Sequence, residues 1–341
     1  MRRVADVPDL IERARAGDPR AIARLISLVE QASPVLREVA RALAPHTGHA
    51  QVIGLTGAPG VGTSTSTSAL VAAYRAAGRR VGVLAVDPSS PFSGGALLGD
   101  RVRMQEHATD PGVFIRSMAS RGHLGGLSWA TPQALRVLDA AGVDVVLVET
   151  VGVGQAEVEI ASLADTTVVL LAPGMGDGIQ AAKAGILEVA DVFCVNKADR
   201  DGADQTVRDL RQMQALGGAH SEAGGWRPPI VKTVAVRGEG IDELAAEIDR
   251  HRAWLVDSGE LDRRRQARAA AEVEAIALAA LRELPGAAAL PGLAARVAAG
   301  TLDPYTAADE LVDAVRRPLG PGSPAGTPWR RSPPSSPPRS A

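Results

Sequence analysis

The sequence predicts an α/β fold, with a doubly wound, mostly parallel sheet and helical extensions at its N-terminal and C-terminal ends. From Gln51 onward, short apolar segments rich in β-branched residues alternate with longer amphipathic segments, which is the pattern of consecutive βαβ units. Several of the apolar segments are uninterrupted, as parallel strands buried on both faces require. The predicted strands cover residues 52–57, 81–87, 113–118, 144–150, 166–173, 192–199 and 230–236.

The segments on either side of the sheet are predicted to be helical. Asp18 and Pro19 have the order of a helix N-cap followed by a first helical residue. Near the other end, apolar residues with helical spacing have no obvious partner within the domain, which predicts a homodimer surface. Those residues are Val273, Ile276, Leu281 and Leu284. We expect an N-terminal helical segment at 1–50, a central domain at 51–256, a helical dimerisation segment at 257–317 and a disordered Pro/Ser/Arg-rich tail at 318–341.

The composition of the 341 residues excludes several classes of protein. The formal net charge is -2, so there is no basic field to hold nucleic acid or an anionic membrane. The single cysteine excludes a disulfide framework and a cysteine-built zinc site. No apolar run approaches the roughly 20 residues that span a bilayer, and acidic residues stand where a signal peptide would be apolar. We expect a cytoplasmic protein with no nucleic-acid partner and no membrane partner.

A glycine-rich turn after the first predicted strand indicates phosphate binding. The turn reads GAPGVGTS and runs from Gly57 to Ser64. Its glycines allow backbone N–H groups to converge on phosphate oxygens, and the following helix adds its positive end. Ser64 is placed to offer its hydroxyl to Mg²⁺, but Thr63 stands where this pattern has lysine. The residues predicted to hold the phosphates are Gly57, Ala58, Pro59, Gly60, Val61, Gly62, Thr63, Ser64 and Thr65.

A second motif predicts the choice of base. NKAD, from Asn196 through Lys197 to Asp199, ends an apolar predicted strand. A carboxylate there accepts hydrogen bonds from both N1 and N2 of guanine, and adenine offers no such pair, so the motif predicts GTP over ATP. The other base-contacting element is predicted at Val234, Ala235 and Val236, with Val in place of the usual Ser. That difference is mild because this contact is mostly made by a backbone N–H.

Acidic residues at strand ends predict the metal and the hydrolytic groups. Glu149, within VETVGVG, stands at the end of a buried predicted strand, and Gly152 is placed to sense the γ-phosphate through its N–H. Asp87 ends another predicted strand, and Asp100 ends a loop rich in Ser and Gly. Carboxylate and hydroxyl oxygens suit Mg²⁺. The predicted metal ligands are therefore Ser64, Asp87, Asp100 and Glu149.

Long strings of the sequence resemble the MeaB/ArgK family, which includes the methylmalonic aciduria type A proteins. They are VDPSSPFSGGALLGDRVRM, FIRSMASRGHLGGLSWAT, VETVGVGQAEVEIA and LLAPGMGDGIQAAKAGILEVADVFCVNKAD, and the match runs from about Asp18 to the segment 303–311. The resemblance implies a dimeric P-loop GTPase of the SIMIBI class, which includes signal-recognition and metallochaperone GTPases. It implies GTP/GDP and Mg²⁺ as ligands.

The resemblance also implies a partner: an adenosylcobalamin-dependent methylmalonyl-CoA mutase or a related acyl-CoA mutase, whose cofactor loading the protein gates and which it protects from inactivation. The segment 174–185 matches the family's third switch, in which Lys183 takes a charged position. The residues expected to serve hydrolysis are Asp87, Glu149, Gly152 and Lys183.

Two interpretations of the nucleotide chemistry remain open because of Thr63. A lysine–phosphate contact contributes about 1.5–3 kcal/mol, so its loss should weaken binding roughly 10- to 200-fold and slow hydrolysis. The protein is then either a slow GTPase or a mutase scaffold that holds the nucleotide with hardly any turnover. A nickel metallochaperone would need a Cys/His cluster, and the six histidines are scattered. A protein kinase would need H-R-D and D-F-G elements, which the sequence lacks.

Overall fold

The computed structural model of the chain describes residues 6–31, 33–87, 105–107, 109–119, 130–150, 160–174, 189–216 and 225–316. The chain divides into two compact units, residues 1–263 and residues 264–341. The first unit contains the sheet and the helices that cover it. The described part of the second unit contains helices and no strand.

Seven strands form one sheet in the order β3-β2-β4-β1-β5-β6-β7, and every pairing in it is parallel. The strands are β1 (Gln51–Gly57), β2 (Val81–Asp87), β3 (Val113–Ala119), β4 (Val145–Thr150), β5 (Thr166–Leu171), β6 (Val192–Val195) and β7 (Ile230–Lys232). The predicted doubly wound sheet is confirmed, and the described sheet is parallel throughout where the sequence predicted a mostly parallel one. The last three strands end earlier than predicted, at Leu171, Val195 and Lys232, because the residues after them leave the strand ladder for turns or, after β7, for the 3-10 helix Ala235–Arg237.

The strand order determines where a ligand can bind. β1 lies at the centre, with β4 on one side and β5 on the other, and the chain winds away from it in both directions. Loops that leave neighbouring strands in opposite directions open a crevice at the carboxyl edge of the sheet. Every residue of β4 and of β5 is buried, as expected for strands covered on both faces. The functional motifs follow β1, β4 and β6 at this same edge.

Helices cover both faces of the sheet. The N-terminal helices α1 (Val7–Arg15), α2 (Pro19–Glu30) and α3 (Leu36–Leu43) and the later α5 (Thr131–Ala140) share one hydrophobic core with β2 and β4. On the other face, α4 (Thr63–Ala76) and α7 (Ile241–Asp257) pack in a second core. Asp6 and Asp18 cap α1 and α2 by accepting backbone N–H groups of Asp9 and Arg20. The unit also contains α6 (Ala203–Leu216).

The second unit continues from a long helix. α8 (Glu260–Arg282) begins in the first unit, where Leu261 is buried, and most of its length belongs to the second. α9 (Leu290–Ala298) and α10 (Pro304–Arg316) follow. An ion pair of 2.7 Å between Arg296 and Glu310 joins these last two helices. None of the helices in the described ranges is long and apolar enough to cross a membrane. The predicted domain boundaries and the cytoplasmic location stay predictions.

Candidate functional site

The glycine-rich turn lies between β1 and α4, and its geometry requires glycine at several positions. Gly60 and Gly62 have φ angles of 85° and 98°, which L side chains rarely adopt. A Cβ on Gly62 would also collide with Nδ2 of Asn196, and a Cβ on Gly57 would lie 2.5 Å from the carbonyl oxygen of Leu170. The loop therefore packs against two other strand ends. Its backbone conformation is that of a phosphate-binding turn at a helix N-terminus.

Ser64 and Glu149 meet at the centre of the carboxyl edge. The Ser64 hydroxyl donates a hydrogen bond of 2.5 Å to Oε1 of Glu149, and both residues are buried. Parallel pairing of β1 with β4, which sets Leu55 opposite Glu149, brings the two residues together. A buried hydroxyl beside a buried carboxylate is a pair of hard oxygen donors next to the phosphate turn. This donor set fits Mg²⁺.

Thr63 is the first residue of α4, at the position where the lysine of the phosphate-binding pattern would stand. Its carbonyl oxygen accepts a hydrogen bond of 3.0 Å from the Thr67 hydroxyl inside the helix. The Lys197 ammonium group donates a hydrogen bond of 2.6 Å to the carbonyl oxygen of Gly60. Lys197 thus contacts the backbone of the turn and stabilises it. Lys197 itself has a φ of 57°.

Asn196 joins the two halves of the site. Its Nδ2 donates to the carbonyl oxygen of Val61 at 2.8 Å, which ties the end of β6 to the glycine-rich turn. Its Oδ1 accepts from the Thr233 hydroxyl at 3.2 Å and from the Ala235 N–H at 3.1 Å. The Asn196 side chain is 3 % exposed, so these bonds are made in the interior. One amide therefore holds the phosphate turn and the predicted base-binding element in a single arrangement.

The hydrogen bonds of Asn196 use one of the backbone donors of the predicted element 234–236. The Ala235 N–H is committed to Asn196. The following residue, Val236, lies in the 3-10 turn Ala235–Arg237, and its side chain is 77 % exposed. The N–H of Val236 is the next backbone donor along the turn after that of Ala235. Val234 is buried and pairs with Glu239 across the turn.

Asp199 faces an arginine that the sequence analysis did not single out. The Arg237 guanidinium donates to Oδ2 of Asp199 at 3.3 Å and, through Nε, to Glu239 at 2.6 Å. Hydrogen bonding and charge from these two carboxylates raise the pKa of Arg237, with Glu239 contributing most. The three side chains line a pocket of about 200 Å³ together with Lys232 and Gly240. A signal was present in the sequence, since Arg237 directly follows the predicted base-contacting element 234–236.

The structure describes only part of the predicted metal and hydrolytic set. It brings Ser64 and Glu149 together. Asp87 lies at the carboxyl end of β2, two strands from β1, and its side chain is outside the described part of the structure. Asp100, Gly152 and Lys183 lie outside the described residues. Their predicted roles stay predictions. No group of three or more His, Cys, Asp or Glu residues within the described ranges is arranged to hold a metal ion.

A parallel sheet with a glycine turn after its central strand, and with an NKAD motif whose asparagine holds that turn, defines a P-loop GTPase. The chain belongs to the MeaB family. Residues 22–288 match the family described as methylmalonyl Co-A mutase-associated GTPase MeaB.

Relatives and a solved structure agree with this assignment. A Pyrococcus abyssi protein named as a GTPase is 49% identical over 313 residues, which are 91% of this chain and 97% of the relative. The Escherichia coli GTPase ArgK is 38% identical over 268 residues, 77% of this chain and 81% of ArgK. The mouse methylmalonic aciduria type A homolog is 36% identical over 265 residues, 73% of this chain and 64% of the mouse protein. The crystal structure of an LAO/AO transport system kinase superposes with a TM-score of 0.68 at 29% identity, covering 92% of this chain and 99% of that one.

Proposed function

We propose that this protein is a guanine-nucleotide-dependent chaperone of an adenosylcobalamin-dependent acyl-CoA mutase, with methylmalonyl-CoA mutase as the partner. In this role it gates loading of the cofactor and protects the mutase from inactivation. Support for the partner comes from the name of the matching family and from the name of the mouse relative. Support for the nucleotide comes from the Asn196 hydrogen bonds, which join a phosphate turn to a base-binding element.

The proposed roles follow from the positions of the groups. Backbone N–H groups of the turn 57–65 would hold the β- and γ-phosphates, with the N-terminus of α4 adding its positive end. The Asp199 carboxylate would accept N1–H and N2–H of guanine, and the Val236 N–H would donate to O6. Lys197 would keep the turn in shape through its bond to Gly60.

Ser64 and Glu149 are the described residues that would hold Mg²⁺, with Asp87 and Asp100 as further ligands in the proposal. The buried Ser64–Glu149 pair supports this, since both oxygens already lie beside the phosphate turn. When bound, Mg²⁺ neutralises part of the charge that develops on the transferring phosphoryl group. Ser64 would orient its hydroxyl toward the ion, and Glu149 would keep a negative charge at the site.

Hydrolysis is proposed to be slow because Thr63 brings no positive charge to the phosphates. In protein sites the corresponding lysine stabilises the transition state of phosphoryl transfer. The same observation favours a second candidate function, a nucleotide-binding mutase scaffold that does not hydrolyse GTP. The two functions share every binding residue and differ only in turnover.

A homodimer is also proposed, formed through α8. The apolar side chains of its stripe are exposed, with Val273 67% and Ile276 55% accessible. Leu281, in the same helix, and Leu284, just after its end, are 48% and 39% exposed. Contiguous exposed apolar side chains of this kind usually mark a protein interface.

Calorimetry combined with co-purification tests the proposal. We expect GTP and GDP to bind with Mg²⁺, ATP to bind at least about 100-fold more weakly, and methylmalonyl-CoA mutase to co-purify in a nucleotide-dependent manner. A turnover assay with and without the mutase separates the slow GTPase from the scaffold. Equal affinity for ATP and GTP would overturn the nucleotide assignment, and a mutase that never co-purifies would overturn the partner.

A further inference from the structure

We propose that Arg237 occupies the guanine-recognising carboxylate of Asp199 until the base binds, and that Glu239 determines how easily Arg237 gives way. Arg237 thereby weakens nucleotide binding. This inference rests on the proposed function, because it concerns the base pocket of the same site.

The contacts show one cation between two carboxylates. Arg237 donates through Nη1 to Oδ2 of Asp199 at 3.3 Å. Its Nε donates to Oε1 of Glu239 at 2.6 Å, and its Nη2 donates to Oε2 of the same residue at 3.3 Å. The contact with Glu239 is bidentate, with bonds of 2.6 Å and 3.3 Å, whereas the contact with Asp199 is a single bond of 3.3 Å. The guanidinium can therefore leave Asp199 while it keeps its stronger partner.

The turn that carries Arg237 and Glu239 is held in place. The N–H of Val234 donates to the carbonyl oxygen of Glu239 at 2.9 Å, and the two residues form an antiparallel bridge. Gly240 follows with a φ of 75°, and a Cβ there would collide with the carbonyl oxygen of Lys232. The bridge therefore keeps the backbone of Glu239 beside the turn that carries Arg237.

In the proposal, guanine and Arg237 compete for the carboxylate of Asp199. Recognition of N1–H and N2–H requires both carboxylate oxygens of Asp199, and Arg237 already occupies one of them. The proposal is that the base displaces this contact as it makes its own. The side chains of Asp199, Arg237 and Glu239 are 40%, 49% and 58% exposed, so the displacement is opposed by a solvent-screened ion pair and not by a buried one.

Two substitutions with opposite expected effects on GDP affinity, one of Arg237 and one of Glu239, test the inference. Titration with fluorescent GDP should show that Arg237→Ala binds about twofold to fivefold more tightly than the wild type, the range that an exposed ion pair supplies. Glu239→Gln should bind more weakly, because the arginine loses its alternative partner and stays on Asp199. In the double variant, Glu239→Gln should have no further effect, since the residue through which it acts is gone. The gain from Arg237→Ala should shrink at high salt, where such contacts are screened.

Arg13→Ala is the matched control. It removes the same charge from a side chain of similar exposure, 47%, whose ion pairs are with Asp9 and Asp18 in the N-terminal helices. The inference is supported if GDP affinity is unchanged in Arg13→Ala and raised in Arg237→Ala. Unchanged or weaker GDP binding by Arg237→Ala, with the wild type binding normally, overturns the inference and leaves the proposed function intact. A wild type that binds no guanine nucleotide overturns the proposed function, and the inference with it.

Discussion

The hydroxyl of Ser64 donates a hydrogen bond of 2.5 Å to the carboxylate of Glu149, a residue 85 positions further along the chain. Pairing of β1 with β4 produces this contact at the carboxyl edge of the sheet. If the pair holds Mg²⁺, Ser64→Ala should lower the Mg²⁺-dependent affinity for GDP about tenfold or more, the size of one contact to a charged group. Calorimetry with and without Mg²⁺ measures this.

Ser68→Ala is the control for that measurement, because Ser68 lies on the same helix but its hydroxyl contacts Glu106 and His107. We expect it to keep the Mg²⁺ dependence of the wild type. If Ser64→Ala kept that dependence as well, the metal would lie elsewhere.

Asp199 should determine the choice of base. Asp199→Asn replaces an acceptor by a donor, so GTP affinity should fall about 10- to 100-fold and affinity for the xanthine nucleotide should rise. Competition titrations with both nucleotides measure the switch. Asp204→Asn, which removes an exposed charge paired with Lys232 at 3.2 Å, serves as the control. Unaltered GTP affinity in Asp199→Asn would place the base away from NKAD.

Thr63 should limit turnover. Thr63→Lys restores a positive charge at the β- and γ-phosphates, and we expect tighter GTP binding and at least tenfold faster hydrolysis. Thr63→Met adds a side chain of similar length without charge and should give neither gain. Phosphate release under single-turnover conditions measures the rate. If the wild type already turns over rapidly and Thr63→Lys adds nothing, another residue supplies the charge, with Arg101 and Arg121, both outside the described residues, as first candidates.

The exposed stripe of α8 should hold the homodimer together. Ile276→Asp combined with Leu281→Asp places two charges among apolar side chains that are 55% and 48% exposed. We expect light scattering to show a monomer at concentrations where the wild type is a dimer, because an interface cannot bury unpaired charges without a large cost. Glu274→Gln changes an exposed residue of the same helix and should leave the dimer unchanged. Dimers that persist in the double variant would exclude this surface.

Cys194 should be unreactive in the folded protein. It is fully buried in β6 next to Thr233, and burial raises the pKa of its thiol to about 12. In the unfolded chain the thiol has a pKa of about 8.5. Between these pKa values the unfolded chain binds fewer protons than the folded one, so the thiol's contribution to stability is complete below about pH 8.5 and decreases as pH rises toward 12.

A thiol reagent at pH 8 should therefore label Cys194 only as fast as the protein unfolds. Because the chain has a single cysteine, the signal belongs to this residue alone. Urea midpoints should fall more between pH 8 and pH 10 for the wild type than for Cys194→Ala. Immediate labelling of the native protein would contradict the burial of β6.

The sequence by itself determined the sheet, the phosphate turn and the NKAD motif. These features are local: continuous apolar runs are typical of parallel strands buried on both faces, and glycine is strongly favoured at φ angles such as the 85° of Gly60 and the 98° of Gly62. Only the tertiary structure decided which groups meet across the carboxyl edge. The 2.8 Å bond from Asn196 to Val61, the Ser64–Glu149 pair and the Arg237 contact with Asp199 all join residues far apart in sequence. Such contacts depend on strand order and on the path of a turn, and neither is encoded in the spacing of residues along one segment.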